Sequence, residues 1–354
     1  MEFQEQLELD TLFSAIEQSL QHELPGISIG EIFENLLHGS FELNLPMLLE
    51  QMLQPLYREI MVQCSFLGQM ILMAVAYALL RQIASSFSGS SIGELCSIMM
   101  RAIVILLLLQ SGRTVLAYGQ ETLLRLAELM QLFLPIQLAL MAALGNVQTA
   151  GLLEPSLMLI VQIAVWSFHT VLLPLITLEF VLKLVNSFHS VFRLQGLASL
   201  LRKLTLTGIA FSTMIFLAVL SIQGIGGHIL DSLSLRTVKY VAGTAIPVVG
   251  GTLSGLMETL MSGAVMIRSA VGVIGLLAVV VLTVLPTMKL LVIYFMYSFT
   301  AAVLQPIGDD CATELLEQTA GSFMLLFAIV ALTGVFFFFM ILIVLAAGGA
   351  VLGG

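Results

Sequence analysis

Residues 270–304 read AVGVIGLLAVVVLTVLPTMKLLVIYFMYSFTAAVL, 35 residues in which Lys289 is the one charged side chain. A bilayer's hydrocarbon core is about 30 Å thick, so a spanning helix needs roughly 20 mostly apolar residues. At 1.5 Å per residue this stretch extends about 52 Å, too long for one untilted crossing. Pro286 and Lys289 interrupt it near the middle, and the expected element is a tight helical hairpin. Further spans are expected at 61–80, 95–110, 156–178, 206–227 and 323–347. Two more stretches, 126–144 with Glu128 and Pro135, and 246–267 with Pro247 and Glu258, read as spans, half-spans or re-entrant segments. The expected fold is all-α, a polytopic helical membrane protein of about seven spans, within a range of six to nine.

Composition agrees with that reading. The 354 residues are 59% hydrophobic and 10% charged, with a mean hydropathy of +1.06. A soluble domain carries about 25% charged residues, so a soluble enzyme or nucleic-acid binder is excluded at this step. Residues 1–60 hold 11 acidic and one basic side chain (Arg58), so the formal charge of −9 belongs to the N-terminal region. That region reads as an acidic, extracytoplasmic set of short helices ahead of a transmembrane domain at 61–354. Asp10 or Thr11 is placed to cap a helix whose Leu12, Phe13, Ile16 and Leu20 share a face. Ser28 and Glu31 have capping-box spacing before Ile32, Phe33, Leu36 and Leu37.

Basic residues orient the loops, because Lys and Arg accumulate on the cytoplasmic side. The segment 181–205, with Lys183, Arg193, Arg202 and Lys203, is expected in the cytoplasm. In the seven-span version 305–322 lies outside and the C-terminus inside. If 126–144, 246–267 and 176–192 all cross, Glu179 and Lys183 fall within a span and the C-terminal end inverts.

Prolines hint at duplication. Pro135 and Pro174 are 39 residues apart, as are Pro247 and Pro286, and the pairs are offset by 112. The repeats would cover 126–188 and 238–300, and repeated halves with broken helices are common in transporters.

Chemistry-bearing motifs are few. There is no GxSxG, HExxH, GxGxxG or Walker-type loop, so no catalytic, cofactor or metal residues are assigned and no enzyme activity is expected. The five histidines lack ligand spacing, and His169 and His189 suit interhelical hydrogen bonds. The three cysteines form no CxxC pair. Charges inside apolar spans cost about 2.5–3.5 kcal/mol each, which singles out Arg101, Glu179 and Lys183. Glu179 and Lys183 share a helix face at i,i+4 and neutralise each other, either structurally or at an ion-linked site. Arg101 faces protein or pairs with Glu94. Pro247, Gly250 and Gly251, and the group Gln305, Pro306, Gly308 and Asp309, are candidate gating or broken-helix positions. Backbone interrupted there must be buried in protein or line a wet cavity.

The runs Lys239-Tyr240-Val241-Ala242-Gly243, Ile246-Pro247-Val248-Val249-Gly250-Gly251 and Leu304-Gln305-Pro306-Ile307-Gly308-Asp309 resemble the stage III sporulation protein AE family. The resemblance extends over nearly the whole chain. It implies a component of the channel complex between mother cell and forespore, in the mother-cell-derived outer forespore membrane. The implied partners are a secretion-type ATPase, ring-forming proteins and small membrane proteins of the same operon, a forespore-side channel protein, and membrane lipid. An oligomer is expected, and nucleic acid is not. The implied role is a membrane-embedded permease-like core or scaffold needed for late forespore gene expression. A stand-alone secondary transporter of a small solute and a non-conducting assembly platform are the competing readings. Family members begin with a cleavable signal sequence, whereas Met1–Glu5 lacks a positive n-region. The expectation is therefore a processed form, or export of the tail by the first span.

Overall fold

In a computed structural model, the described residues are 9–21, 28–38, 90–144, 147–187, 194–226, 250–307 and 310–349, with isolated helical residues between 54 and 79. All regular structure among them is helical. Helices α1 (Leu9–Gln21) and α2 (Ile29–Leu37) precede α3 (Ser90–Ala143) and α4 (Val147–Val165). A π-helical turn, Trp166–Leu172, leads into α5 (Leu173–Asn186). Then come α6 (Gln195–Gly226), α7 (Gly250–Leu304), a 3-10 turn (Gln305–Ile307) and α8 (Asp310–Gly349).

The capping-box spacing at the second short helix is used: Ser28 Oγ accepts from the Glu31 N–H at 3.4 Å. Glu17 Oε1 on α1 accepts from the Ile29 N–H at 2.7 Å, satisfying another orphan donor at the start of α2. Asp10 and Thr11 lie inside α1, which is described from Leu9 onward. Leu12, Ile16, Leu20, Ile29 and Phe33 are buried with the main core, and α1 and α2 both pack on α7.

The hairpin expected at Pro286 does not form, because α7 runs unbroken from Gly250 to Leu304. Pro286 has no N–H to offer the Leu282 carbonyl, a loss of one hydrogen bond that a membrane helix tolerates. Thr287 Oγ1 donates to the adjacent Thr283 and Val284 carbonyls at 2.7 and 3.0 Å, one turn below the proline. Likewise 95–110 and 126–144 are one helix, α3, with Pro135 inside it. Among the described residues five helical segments are long and apolar enough to cross a membrane: Arg101–Ala143, Pro155–Asn186, Gln195–Val219, Val265–Leu304 and Ala312–Ala346. The count is five, against an expectation of about seven. The expected span at 61–80 is described only in fragments, and residues 227–249, with Pro247, lie outside the described residues.

Contacts between helices fix their relative heights. At what we call the upper end, the Tyr297 hydroxyl of α7 donates to Ser111 Oγ of α3. Phe323 of α8 lies 5.1 Å from the Tyr297 ring and 6.1 Å from the Phe180 ring of α5. Midway, Gly119 of α3 meets Leu326 of α8, and Gln120 Nε2 lies 3.4 Å from His169 Nε2. Lower, Phe336 packs against Phe216 at 3.8 Å and Phe168 at 5.7 Å. At the lower end Gly275 of α7 faces Phe133 of α3, and Gly272 faces Leu345 of α8. So α3, α6 and α8 descend while α5 and α7 rise.

This geometry also bears on the connections. The end of α5, the start of α6, the end of α7 and the start of α8 share the upper end. The connections at 187–194 and 305–309 therefore leave from one side of the bundle. The seven-span expectation, which separates 181–205 from 305–322 by a membrane, does not fit that arrangement. Its error lies in the hairpin that α7 does not make.

Close helix approach depends on missing side chains. A Cβ on Gly275 would enter the Phe133 ring, which is fully buried. Gly275→Ala is expected to lower stability by about 1–3 kcal/mol through overpacking. Gly151, with open space around it, provides the control: Gly151→Ala should leave the melting temperature in detergent unchanged or raised.

Candidate functional site

The strongest polar constellation forms at the upper end, where three helices meet. Glu179 sits on the inner face of α5 and is 0% exposed. Lys183, one turn later, places Nζ 2.5 Å from Glu179 Oε1. The expected i,i+4 pair therefore exists, and it does not stand alone. Arg202 of α6 approaches the same oxygen, with Nη1 at 3.7 Å. From α8, Ser322 Oγ lies 3.3 Å from Glu179 Oε2 and accepts from Lys183 Nζ at 3.2 Å. Lys183 Nζ also donates to the Gln318 carbonyl at 3.2 Å.

Each helix supplies what its local sequence allows. On α5, Ile176, Phe180 and Leu184 occupy the same buried face as Glu179, so apolar neighbours force the carboxylate inward. On α8, Gly321 leaves room for the guanidinium: a Cβ there would lie 2.9 Å from Arg202 Nη1. At the turn between α5 and α6, Asn186 Oδ1 accepts from the Leu194 N–H at 3.0 Å. One carboxylate thus holds two cations, whose side chains are 12% and 43% exposed. Chemically this is an electrostatic clamp joining α5, α6 and α8, with its one partly open edge at Arg202.

A second polar contact lies at the lower end. Arg268 of α7 is buried, and its Nη2 donates to the Val344 carbonyl of α8 at 2.5 Å. Gln137 Nε2 of α3 donates to the Arg268 carbonyl at 3.3 Å. Ser322 and Leu345, which mark the two levels on α8, are 23 residues apart, or about 35 Å along a helix. That separation matches a hydrocarbon slab of about 30 Å.

The other sequence-selected residues fall elsewhere. Arg101, on α3, is half-buried with Nε unpartnered, and the side chain of Glu94 lies outside the described ones. Gly250 and Gly251 are the first two residues of α7, and Gln305 and Pro306 form the exposed 3-10 turn between α7 and α8. Pro247, Gly308 and Asp309 lie outside the described residues. Among the described residues, no three or more His, Cys, Asp or Glu side chains are grouped to hold a metal ion. Sequence reasoning placed Arg202 in a loop and passed over Arg268, Gln137 and Ser322. The available signal for Arg202 was its position within an apolar stretch, which demands a partner.

Apolar helices of spanning length, locked at both ends by buried polar contacts, define a polytopic helical membrane protein. The chain belongs to the stage III sporulation protein AE family, whose model matches residues 27–348. It is 26% identical over 280 residues to the stage III sporulation protein AE of Bacillus subtilis (strain 168), covering 79% of this chain and 70% of that relative. No solved structure matches the chain. The family is named for sporulation rather than for an enzymatic activity.

Proposed function

We propose that this chain is the membrane-embedded, permease-like core of the channel between mother cell and forespore. In this reading it sits in the mother-cell-derived outer forespore membrane with its acidic N-terminal region extracytoplasmic. Around it assemble the secretion-type ATPase, the ring-forming proteins and the forespore-side channel protein. The observation that carries the reading is the family match across residues 27–348. The bundle supports a conducting part because its long helices retain polar groups at membrane depth, where they are costly unless they have partners or water. The clamp around Glu179 acts as scaffold for that part. With Lys183 and Ser322 both engaged on the carboxylate, its role is structural rather than ion coupling.

Bulky substitution at the start of α7 separates conduction from assembly. Gly250→Leu and Gly251→Leu are expected to abolish heat-resistant spores in the native host while partner proteins still co-purify with the variant. Normal spore yield with intact recruitment would remove the gating role from these glycines. Loss of recruitment together with loss of spores would favour a non-conducting platform.

A further inference from the structure

Helix α3 carries polar and charged side chains along one exposed face, interrupted by Leu109 and Leu124, at a depth where its neighbours are apolar. Gln110, Arg113, Thr114, Ala117, Glu121 and Glu128 recur at helical spacing and are all exposed. Gln131 continues the row. Gln110 to Gln131 covers 21 steps, about 32 Å, the thickness of the hydrocarbon core. The interhelical contacts put this row beside the most apolar outer surfaces of the bundle. Ser111 is level with Tyr297, and Gln120 with His169. Between those levels and the lower end, α6 exposes Phe211, Met214 and Leu217, α4 and its π-turn expose Leu159 and Trp166, and α8 exposes Val335 and Phe339. Those side chains suit lipid. Arg113, Glu121 and Glu128 do not, since ionisable groups at membrane depth face protein or a water-filled cavity.

Along the upper part of the row runs a shallow, open groove of about 790 Å³, lined among the described residues by Leu109, Gln110, Arg113, Thr114, Ala117, Tyr118 and Glu121. Along its length the charges balance: Arg113 and Arg125 against Glu121 and Glu128. Arg125 Nη2 pairs with Glu121 Oε1 at 2.5 Å. A wall built this way holds water without concentrating one sign of charge.

We propose that the polar face of α3 lines a water-filled path through the membrane for small hydrophilic solutes. The proposal deepens the permease-like reading and rests on it for the identity of the solute, but the hydration of α3 stands by itself.

The test is a cysteine scan in the full chain, with Cys64, Cys96 and Cys311 replaced by serine, reconstituted in phosphatidylcholine–phosphatidylglycerol vesicles. Thr114→Cys, Ala117→Cys and Glu128→Cys are expected to react with a charged, membrane-impermeant thiosulfonate on both membrane sides. Their rates should be at least about tenfold above those of Leu116→Cys and Leu123→Cys (buried) and of Met214→Cys (lipid-facing), the order expected when only thiolate in water reacts. Protection of all three α3 positions would overturn the path, and so would equal reactivity at Met214→Cys, which would put this level in water. Spore counts with the same variants report separately on the channel reading: labelled protein that is dispensable for sporulation would sink that reading and leave the wet path standing.

Discussion

Glu179→Ala is expected to destabilise the protein by about 3–5 kcal/mol, the cost of stranding a buried charge by removing its partner. Lys183, 12% exposed, would keep its charge beside Phe180 and Leu184 with only the Gln318 carbonyl and the Ser322 hydroxyl for company. Three helices lose their common anchor in one step, so the upper ends of α5, α6 and α8 should separate first. The measurement is denaturant- or SDS-induced unfolding of purified protein in mixed micelles. A companion variant decides whether charge is the cause. Glu179→Leu combined with Lys183→Met removes both charges and keeps volume, and replacing a buried pair by apolar groups is often neutral or stabilising. That double variant should regain most of the stability lost by Glu179→Ala. If it unfolds as readily as the single variant, packing rather than the charge clamp holds this end. The Glu121–Arg125 pair of α3 offers contrast: Glu121 is 56% exposed, and Glu121→Gln should cost less than about 1 kcal/mol.

Met214→Arg should be the most damaging substitution on the outer surface, costing about 2.5–3.5 kcal/mol for an arginine facing the hydrocarbon. Met214 is 71% exposed on α6, flanked by Phe211 and Leu217, with no acidic side chain on that face. The same change at Ala117, on α3 and nearer the upper end, should be nearly silent, because in this account the α3 face is wet and has Glu121 one turn on. Membrane-integrated yield and melting temperature of the two variants, compared side by side, give the answer. Similar losses at both positions would mean that lipid bathes α3 as it bathes α6.

What the sequence made legible follows from local rules. The Ser28–Glu31 cap, the apolar helices and the Glu179–Lys183 pair all depend on residues within one turn of each other or on window averages. What escaped depends on distance in sequence or on direction around a helix. Arg202 and Ser322 join Glu179 from 23 and 143 residues away, and no spacing rule reaches that far. Pro286 looked like a break because water-soluble helices break there. In a bilayer the backbone has no solvent to turn to, so the helix runs on through the proline with one hydrogen bond fewer. The division of α3 into two stretches has a related cause. A hydropathy average treats a helix as uniform around its axis, so polarity confined to one face from Gln110 to Glu128 reads as a gap between two spans. In the folded chain Leu116, Leu123, Leu126 and Phe133 continue the buried face without interruption.

A density map of the protein assembled in a lipid nanodisc, at a resolution that separates acyl chains from ordered water, tests the central claim most directly. The expected map has water along Arg113, Thr114, Glu121 and Glu128 of α3, and acyl chains against Phe211, Met214 and Trp166. Acyl chains or tightly packed protein along the α3 face from Gln110 to Gln131 would contradict it.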